Sequence, residues 1–368
     1  MRFAMIMAGG AGTRLWPMSR QGTPKQLIRF IHEQGADRPA SLIELAARRL
    51  EGLVPPDRRY ICTAERYRPA INEQLPDFPD PQILGEPAPR DTVNAVGFAA
   101  AVFSTIDPDA VFAVLTADQL ITPKETFARA LDAGFELVEQ DHRRLVSFGI
   151  TPTEPATGYG YIEDDGPIDG AASDLAFKIA RFVEKPPLEK AKAYLASGRF
   201  FWNAGMFVFH AGTVLDRLRV HQPESHAGLA KIQKSWQTPD KQRVLDEIYP
   251  TLPKISVDYA LMEPAGDDPE VSLCGVRMDI DWLDVGSWPA YGSTLEADAD
   301  GNKTAGARLT AVDSKNNLVA SDDPDHTVAL LGCDDLIVVR TPSATLVMPK
   351  ERAQDLKKIH AELPDELK

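Results

Sequence analysis

The stretch MAGGAGTRLWPMSRQGTPKQL, residues 7–27, follows directly on the short apolar run Phe3 to Met7 and combines glycines with cations. Glycine lacks a Cβ, so a glycine-rich turn after a strand lets backbone amides approach an anion closely. Arg14 and Arg20 each offer a planar fork for two phosphate oxygens, and Lys25 offers a mobile point charge. The stretch therefore predicts a phosphate-binding loop, although composition alone also allows a surface turn with scattered cations.

Two well-known phosphate-binding patterns do not fit this loop. The dinucleotide pattern GxGxxG fails because Gly10 and Gly12 are followed by Leu15 at the place of the third glycine. The P-loop pattern GxxxxGK[ST] fails because no Gly-Lys-Ser/Thr sequence follows. What remains is a glycine loop with its own cations, which can neutralise a triphosphate whose leaving group departs as pyrophosphate.

Composition narrows the classes of protein that the chain can represent. Its 368 residues, 43% of them hydrophobic, predict one large domain and a smaller one. The net charge of -14 disfavours nucleic acid or an anionic membrane surface as a partner. The three cysteines show no CxxC spacing, which argues against a disulfide framework or a zinc site. With no signal sequence or membrane-spanning run in view, we expect a soluble, cytoplasmic protein.

The first half of the chain alternates short β-prone runs with helical segments, which is the pattern of a parallel α/β sheet. The predicted strands are Phe3 to Met7, Arg59 to Cys62, Gln82 to Leu84, Val111 to Leu115 and Leu145 to Gly149. This pattern predicts an α/β fold with the glycine loop at the end of the first strand.

Two helix starts carry the pattern of a capping box. Ser41 with Glu44 is one, and Thr122 with Glu125 is the other, with Pro123 expected at the first helical position. The segment TVNAVGFAAAVFS, residues 92–104, is small and apolar on nearly every face. We therefore expect it to form a helix buried tightly against the sheet.

After Thr151 the alternation of β-prone runs with helical segments changes. Gly and Pro punctuation, followed by the β-prone runs Phe177 to Glu184 and Met206 to His210, suggests insertions or a second lobe over the sheet. The polar stretch EADADGNKT, residues 296–304, is typical of a linker, and short β-prone runs and a helix follow it. We predict a catalytic domain over residues 1–298 and a small β-rich domain over residues 299–368.

The long ordered pattern of the glycine loop resembles the signature loop of the sugar-1-phosphate nucleotidyltransferases. Its Trp16-Pro17 and Pro24-Lys25-Gln26 details are similar to the mannose-1-phosphate guanylyltransferase branch of that family. Segments that agree with it in family order are EPAPRDTVNA from Glu86, VLTADQLI from Val114, TGYGYIE from Thr157, FVEKP from Phe182, FFWNAGMFVF from Phe200 and DWLDVGSW from Asp281. The resemblance covers about the first 300 residues.

The resemblance implies a fold and an activity. The fold is a Rossmann-like, mixed but mostly parallel α/β sheet, with a small C-terminal β domain similar to a left-handed β-helix. The activity is Mg²⁺-dependent transfer from GTP to α-D-mannose 1-phosphate, which gives GDP-mannose and pyrophosphate. A homodimer is expected, and no isomerase activity, because the chain stops where longer relatives add an isomerase domain.

Two carboxylates are candidates for the metal site. Asp118 follows the strand Val111 to Leu115, at the edge where parallel α/β sheets bind ligands. Two carboxylates together with substrate phosphates suit octahedral Mg²⁺. The resemblance assigns Asp118 and Asp284 to the metal, whereas an Asp that only caps a turn is the alternative for Asp118. Asp281 is the substitute if the position of Asp284 is misassigned.

The sugar side of the site rests on four further residues. Glu184 and Lys185 are adjacent, so in a regular strand they point to opposite faces; Pro186-Pro187 supplies a break that lets both face one ligand. The resemblance assigns Glu184 to sugar hydroxyls and Lys185 to the sugar phosphate, against a solvated ion pair as the alternative. Asn203 can donate to and accept from neighbouring hydroxyls, and Gly158 lets backbone approach the sugar. The aromatic residues 200–202 are expected in the core.

The resemblance places the nucleotide against the glycine loop, with Arg14 and Lys25 as catalytic cations beside Ala8, Gly9, Gly10, Gly12 and Thr13. It places the base at Glu86, Asp91 and Thr92, where carboxylate and hydroxyl oxygens can accept from guanine. The family pattern there is closer to Arg-Asn-Thr and Pro-Ala-Asp-His, whereas this chain has Asp91, Thr116 and Gln119 at the varying positions. Another sugar 1-phosphate or nucleotide, or a regulatory paralogue that only binds GDP-mannose, are the alternatives.

Overall fold

The computed structural model describes residues 1–10, 12–32, 35, 37–170 and 173–368, and a nine-stranded sheet organises most of them. Up to residue 293 the strands are β1 (Arg2–Met7), β2 (Arg29–Ile31), β3 (Ala40–Ser41), β4 (Arg59–Ala64), β5 (Ile83–Glu86), β6 (Val111–Thr116), β7 (Gln119–Thr122), β8 (Arg144–Ile150), β9 (Tyr161–Pro167), β10 (Ala176–Val183), β11 (Phe200–His210), β12 (Ser272–Met278) and β13 (Asp281–Asp284). The helices are α1 (Leu42–Arg49), α2 (Arg68–Gln74), α3 (Asp91–Ile106), α4 (Lys124–Gln140), α5 (Leu188–Ser197), α6 (Ala211–His221), α7 (Pro223–Ser235), α8 (Lys241–Ile248) and α9 (Trp288–Ser293).

The strand order in the sheet is β5-β4-β1-β6-β11-β8-β12-β10-β9. Strands β10 and β11 run opposite to the other seven, so the sheet is mixed and mostly parallel in direction, as predicted. The expected second lobe after Thr151 is wrong. Strand β11 is hydrogen-bonded to both β6 and β8, so the later strands extend the one sheet instead of covering it.

The sheet is buried on both faces, which explains why β1 is apolar from Phe3 to Met7. Phe3 and Met5 belong to the core on one face, where α3 packs, whereas Ala4 and Ile6 belong to the core on the other face, with α1 and α4. The predicted buried helix at residues 92–104 is confirmed as α3, which also contacts α6 and α7. This three-layer packing fixes the edge of the sheet at which β1 and β6 end.

One of the two predicted capping boxes is present. Ser41 Oγ accepts from the Glu44 N–H, and the Glu44 carboxylate accepts from the Ser41 N–H at 2.7 Å. The second box is wrong: Pro123 is the N-cap residue of α4, and within the described chain no side chain caps that helix. Thr122 instead ends β7, and its hydroxyl lies 3.5 Å from an Asp281 carboxylate oxygen. Pairing of β7 with β13 therefore takes Thr122 away from the helix.

The C-terminal part winds as a short β-helix. Its strands are β14 (Lys303–Ala305), β15 (Arg308–Val312), β16 (Leu318–Ser321), β17 (Thr327–Leu331), β18 (Leu336–Thr341) and β19 (Ala344–Pro349), followed by a 3₁₀ turn at Lys350–Asp355 and α10 (Leu356–Glu362). Successive strands alternate between two parallel ladders, β14-β16-β18 and β15-β17, until β19 pairs with β18 in the antiparallel direction. The predicted β-prone runs after residue 304 and the closing helix are confirmed. The first turn, β14 and β15, was not predicted because β15 is mostly exposed and lacks an apolar run.

Candidate active site

A two-stranded ribbon brings two distant carboxylates together. In the antiparallel pairing of β7 with β13, Asp284 lies opposite Gln119, the residue that follows Asp118. The Val285 N–H also donates to the Asp118 carbonyl oxygen at 3.0 Å. Asp281 lies at the other end of the ribbon, opposite Thr122. Asp281 and Asp284 are three strand positions apart, about 10 Å, so the structure puts Asp284 and not Asp281 beside Asp118.

The ammonium group of Lys25 lies at this carboxylate pair. Its Nζ is 2.8 Å from Asp118 Oδ2 and 3.8 Å from Asp284 Oδ1, and the Lys25 side chain is buried. Burial raises the pKa of the Asp284 carboxyl, and the Lys25 charge opposes that rise. The two carboxylates offer hard oxygen donors at one place, which is the ligand type that suits a divalent cation such as Mg²⁺.

The glycine loop is held by side chains of its own second half. Gln26 Nε2 donates to the Gly9 carbonyl oxygen and Ser19 Oγ donates to the Gly12 carbonyl oxygen, each at 2.8 Å. Gly12 has φ +64°, and a Cβ added there would lie 2.5 Å from Lys25 Cβ. Only a glycine therefore lets the loop pass this close to Lys25.

Arg14 lies next to Asp284. A Cβ added to Gly286 would lie 2.9 Å from Arg14 Nη2 and 3.2 Å from Asp284 Oδ2, so both charged groups border the same glycine. The other arm of the guanidinium, Nη1, donates to Gln354 Oε1 at 3.3 Å. The two catalytic candidates of the loop, Arg14 and Lys25, thus both reach the carboxylate pair.

A cavity of about 380 Å³ opens at the ends of β1, β5 and β6, and we call it the first cavity. The predicted residues that line it are Gly9, Gly10, Glu86, Asp91, Thr92 and Asp118. A larger cavity of about 610 Å³ lies behind the glycine loop, against the C-terminal strands, and neither Asp118 nor Asp284 lines it. The first cavity is therefore the one that combines the glycine loop with a metal-type ligand.

The three residues predicted for the base have protein partners in the first cavity. Glu86 Oε1 accepts from the Tyr249 hydroxyl at 2.6 Å, and burial raises the pKa of the Glu86 carboxyl. Asp91 has φ +62°, and its Oδ1 accepts from the Thr92 N–H at 2.8 Å. Thr92 Oγ1 accepts from the Val257 N–H at 2.8 Å, so this hydroxyl also holds a neighbouring loop.

A second cavity, of about 160 Å³, adjoins the carboxylate pair on the side of Asp284. Its lining includes the predicted Gly158, Glu184, Asn203 and Asp284, together with Gln119, Tyr159, Asp258 and Trp282. The Tyr159 ring packs edge-on against Trp282, with centroids 5.0 Å apart, and against Trp202, which is buried in the core as predicted. The sequence analysis did not predict that the aromatic residues Tyr159 and Trp282 line this cavity.

Asn203 is fixed by a network in the second cavity. Its Oδ1 accepts from Ser147 Oγ at 2.9 Å and from the Gly205 N–H at 3.0 Å, and its Nδ2 donates to Asp258 Oδ1 at 3.0 Å. Burial, together with the nearby Glu184 charge, raises the pKa of Asp258 to about 6. Sequence reasoning missed Asp258 because it begins a π-helical turn, Asp258–Met262, whose sequence has no catalytic pattern.

Glu184 and Lys185 follow the end of β10. The strand ends at Val183 and Lys185 has φ +47°, so the predicted break is present. The Lys185 ammonium pairs with the Glu184 carboxylate and is more than half exposed. All predicted site residues lie in the described part of the chain, and those that line neither cavity are Ala8, Gly12, Thr13, Arg14, Lys25 and Lys185.

Another group of metal-type ligands lies away from this edge of the sheet. Side-chain donor atoms of Asp109, His142 and His210 lie within 4.8 Å of one another. Asp109 precedes β6 and Asp118 follows it, so the strand separates the two groups by about 20 Å. This group therefore lies away from both cavities, of which Asp118 lines the first and Asp284 lines the second.

The raised pKa of Asp258 predicts pH-dependent stability. The folded protein binds this proton more tightly than the unfolded chain, so wild-type stability falls as the pH rises from about 4 to about 6. Asn cannot ionise and keeps an acceptor for Asn203. We expect Asp258→Asn to be more stable than the wild type by up to about 3 kcal/mol at pH 8. Thermal unfolding of both proteins at pH 4.5 and pH 8 checks this, and an equal difference at the two pH values would contradict it.

Comparison with known proteins gives matches over both parts of the chain. The family model described as Nucleotidyl transferase matches residues 3–301, and the one described as MannoseP isomerase/GMP-like beta-helix domain matches residues 307–363. Mannose-1-phosphate guanylyltransferase of Escherichia coli is 37% identical over 97% of this chain and 73% of its own length. Xanthan biosynthesis protein XanB of Xanthomonas campestris is 34% identical over 98% of this chain and 72% of its own length. The crystal structure of a mannose-1-phosphate geranyltransferase from Thermus thermophilus superposes with a TM-score of 0.82, at 30% identity over 98% of both chains.

Proposed function

The chain belongs to the nucleotidyl transferase family, and on that premise we propose that it transfers a guanylyl group from GTP to α-D-mannose 1-phosphate, giving GDP-mannose and pyrophosphate. Mannose-1-phosphate guanylyltransferases at 36–37% identity over nearly the whole chain support this activity. The observation that carries the proposal is the pair Asp118 and Asp284, because one carboxylate lines each of two adjoining cavities. A reaction between two phosphates needs charge compensation at that boundary.

The proposed reaction is an in-line attack of the sugar phosphate oxygen on the α-phosphorus of GTP, which expels pyrophosphate. A phosphate oxygen that is already charged near neutral pH needs no general base. The work of the protein is alignment and charge compensation. We assign that work to Arg14 and Lys25 on the nucleotide and to Lys185 on the sugar phosphate. Lys185 pairs with Glu184 in the structure, so its ammonium must exchange that partner for the phosphate.

Nucleotidyltransferases generally use a divalent metal, and we propose Mg²⁺ held by Asp118 and Asp284. The chemistry that it supplies when bound is neutralisation of phosphate oxygens. Lys25 Nζ lies 2.8 Å from Asp118 Oδ2, so this ammonium would share the Asp118 carboxylate with the proposed cation. The Lys25 side chain is long and flexible enough to contact a bound phosphate, while Asp118 and Asp284 would hold the cation.

We propose that GTP occupies the first cavity and mannose 1-phosphate the second. Gly9 and Gly10 line the first cavity and offer backbone amides to the phosphates, while Ala8, Gly12 and Thr13 shape the loop. Glu86, Asp91 and Thr92 are assigned to the base. In the second cavity Gly158, Glu184 and Asn203 are assigned to the sugar, and Asp258 joins them because its carboxylate holds Asn203.

No helix within the described residues is long and apolar enough to cross a membrane. We propose a cytoplasmic location, where sugar nucleotides are made from GTP, and a homodimer as the working assembly. Size-exclusion chromatography with light scattering tests the second point.

Release of pyrophosphate tests the proposed activity. The purified protein is incubated with Mg²⁺ and each pairing of GTP, ATP, UTP or dTTP with mannose 1-phosphate or glucose 1-phosphate. We expect turnover to be strongest for GTP with mannose 1-phosphate. Turnover with another pair would keep the mechanism and change the specificity. If a folded protein that binds GDP-mannose releases no pyrophosphate with any pair, the result would instead favour the regulatory paralogue.

A further inference from the structure

A single hydrophobic cluster joins the glycine loop to the C-terminal β-helix domain. Its members from the nucleotidyltransferase part include Leu15 and Trp16 of the loop and Val285, the residue after Asp284. Its members from the C-terminal domain include Leu346, Met348, Ala353 and Leu356. Leu15, Val285 and Leu356 are each at most 1% exposed. The residues that follow Arg14 and Asp284 in the chain are therefore buried in the same hydrophobic cluster as the first residue of α10.

Polar contacts follow the same interface. Gln354, in the 3₁₀ turn before α10, accepts a hydrogen bond from Arg14 Nη1 at 3.3 Å. Trp16 Nε1 donates to the Leu367 carbonyl oxygen at 2.8 Å, and the Gln21 N–H donates to the Lys368 carbonyl oxygen at the same distance. The C-terminal domain therefore contacts the loop at Arg14, Trp16 and Gln21, and Arg14 is the residue that also reaches Asp284.

We propose that Gln354 and Leu356 are positioning residues of the transferase: Gln354 orients the Arg14 guanidinium, and Leu356 fixes the turn that carries it. The proposal rests on the function proposed above, because Arg14 is assigned there to the triphosphate. The C-terminal domain is on this view part of the active site, and not an appendage that only adds stability.

The physical reason lies in the freedom of an arginine side chain. Arg14 is carried by a three-residue 3₁₀ turn, Thr13–Leu15, which has little structure of its own. A guanidinium on such a turn loses rotamer entropy when it binds phosphate, unless its direction is already restricted. Gln354 accepts a hydrogen bond from one arm of the guanidinium, and α10, whose Leu356 belongs to the same hydrophobic cluster as Leu15, packs against the turn. Both contacts leave the second arm of the guanidinium beside Gly286 and Asp284, at the carboxylate pair.

A second cluster in the same domain provides a matched control. Val319, Leu330 and Val338 form a separate hydrophobic core of the β-helix, and its other members all belong to the C-terminal domain. Leu330 and Leu356 are both buried leucines of this domain, at 8% and 1% exposure. Truncation of either to alanine opens a cavity and lowers stability. Only truncation of Leu356 opens that cavity under the glycine loop.

The experiment measures kcat and KM for GTP and for mannose 1-phosphate. The proteins compared are the wild type, Gln354→Met, Leu356→Ala and Leu330→Ala. The temperature is one at which circular dichroism shows that all four are folded. We expect kcat/KM for GTP to fall about ten-fold in Gln354→Met and at least as much in Leu356→Ala. Leu330→Ala should stay within about two-fold of the wild type. In an Arg14→Met background, Gln354→Met should have no further effect, because its only route to the substrate is gone.

Other outcomes overturn the proposal. Wild-type kinetics in Gln354→Met, additive losses in the double variant, or parallel losses in Leu356→Ala and Leu330→Ala would each reduce the interface to a stabilising contact. If the wild type itself turns over no substrate pair, the proposed function fails. The positioning claim is then tested alone by the dissociation constant of GTP with Mg²⁺, which should still rise in Gln354→Met and not in Leu330→Ala.

Discussion

Asp118→Asn and Asp284→Asn are each expected to lower kcat by about 10²-fold or more, while Asp281→Asn stays within about two-fold of the wild type. The three substitutions are chemically identical, and all three carboxylates belong to the same ribbon region. They differ in place: Asp118 and Asp284 contact the Lys25 ammonium, whereas Asp281 lies at the far end beside Thr122. Asparagine keeps the shape of the side chain but removes the charge that a divalent cation needs.

The measurement is steady-state release of pyrophosphate across a range of Mg²⁺ concentrations. Circular dichroism and thermal unfolding must show that each variant is folded. Weakened metal binding predicts that part of the loss in Asp284→Asn is recovered at high Mg²⁺ concentration. A folded Asp284→Asn with wild-type kcat, together with a large loss in Asp281→Asn, would move the metal site to the other end of the ribbon.

The choice between Asp281 and Asp284 shows what the sequence could predict and what it could not. Asp118 follows from local reasoning, because it comes directly after an apolar strand whose end binds ligands in α/β folds. The partner carboxylate came only from family resemblance. The ribbon that joins them pairs QLIT with DWLD, two four-residue strands of mixed polarity, and neither has the length or alternation that predicts a strand. The register of two such short strands depends on tertiary contacts, so it could not be predicted from the sequence.

The same limit explains the residues that were missed. Tyr249 holds Glu86 from the end of α8, and Asp258 holds Asn203 from a π-helical turn, so both act across a long sequence separation. Gln354 reaches Arg14 from a different domain. In contrast, the glycine loop could be proposed as a phosphate site from local sequence, because its glycines, its cations and the strand before it are contiguous. Candidate residues that are contiguous could be predicted from the sequence, whereas the long-range contacts that orient their side chains could not.

Gly12→Ala is the second substitution with a large expected effect, and its reason is steric. The new Cβ would lie 2.5 Å from Lys25 Cβ and 3.2 Å from the Lys25 backbone nitrogen, and φ at this position is +64°. An L-residue in this left-handed conformation costs about 1–2 kcal/mol. Lys25 cannot yield freely, because it begins the 3₁₀ turn Lys25–Leu27 and its ammonium is paired with Asp118. Either the loop or Lys25 must therefore move.

We expect kcat/KM for GTP to fall about 10²-fold in Gly12→Ala, because a shift of about 1 Å in a positioned charge has an effect of that size. The matched control is Gly22→Ala in the same loop, where an added Cβ meets no atom within 4 Å. That variant should keep kcat/KM within about two-fold. If both alanine variants lose activity equally, flexibility of the loop and not the close approach of Gly12 to Lys25 is what catalysis requires. If neither does, the loop tolerates displacement of Lys25, and the assignment of this lysine to the triphosphate is wrong.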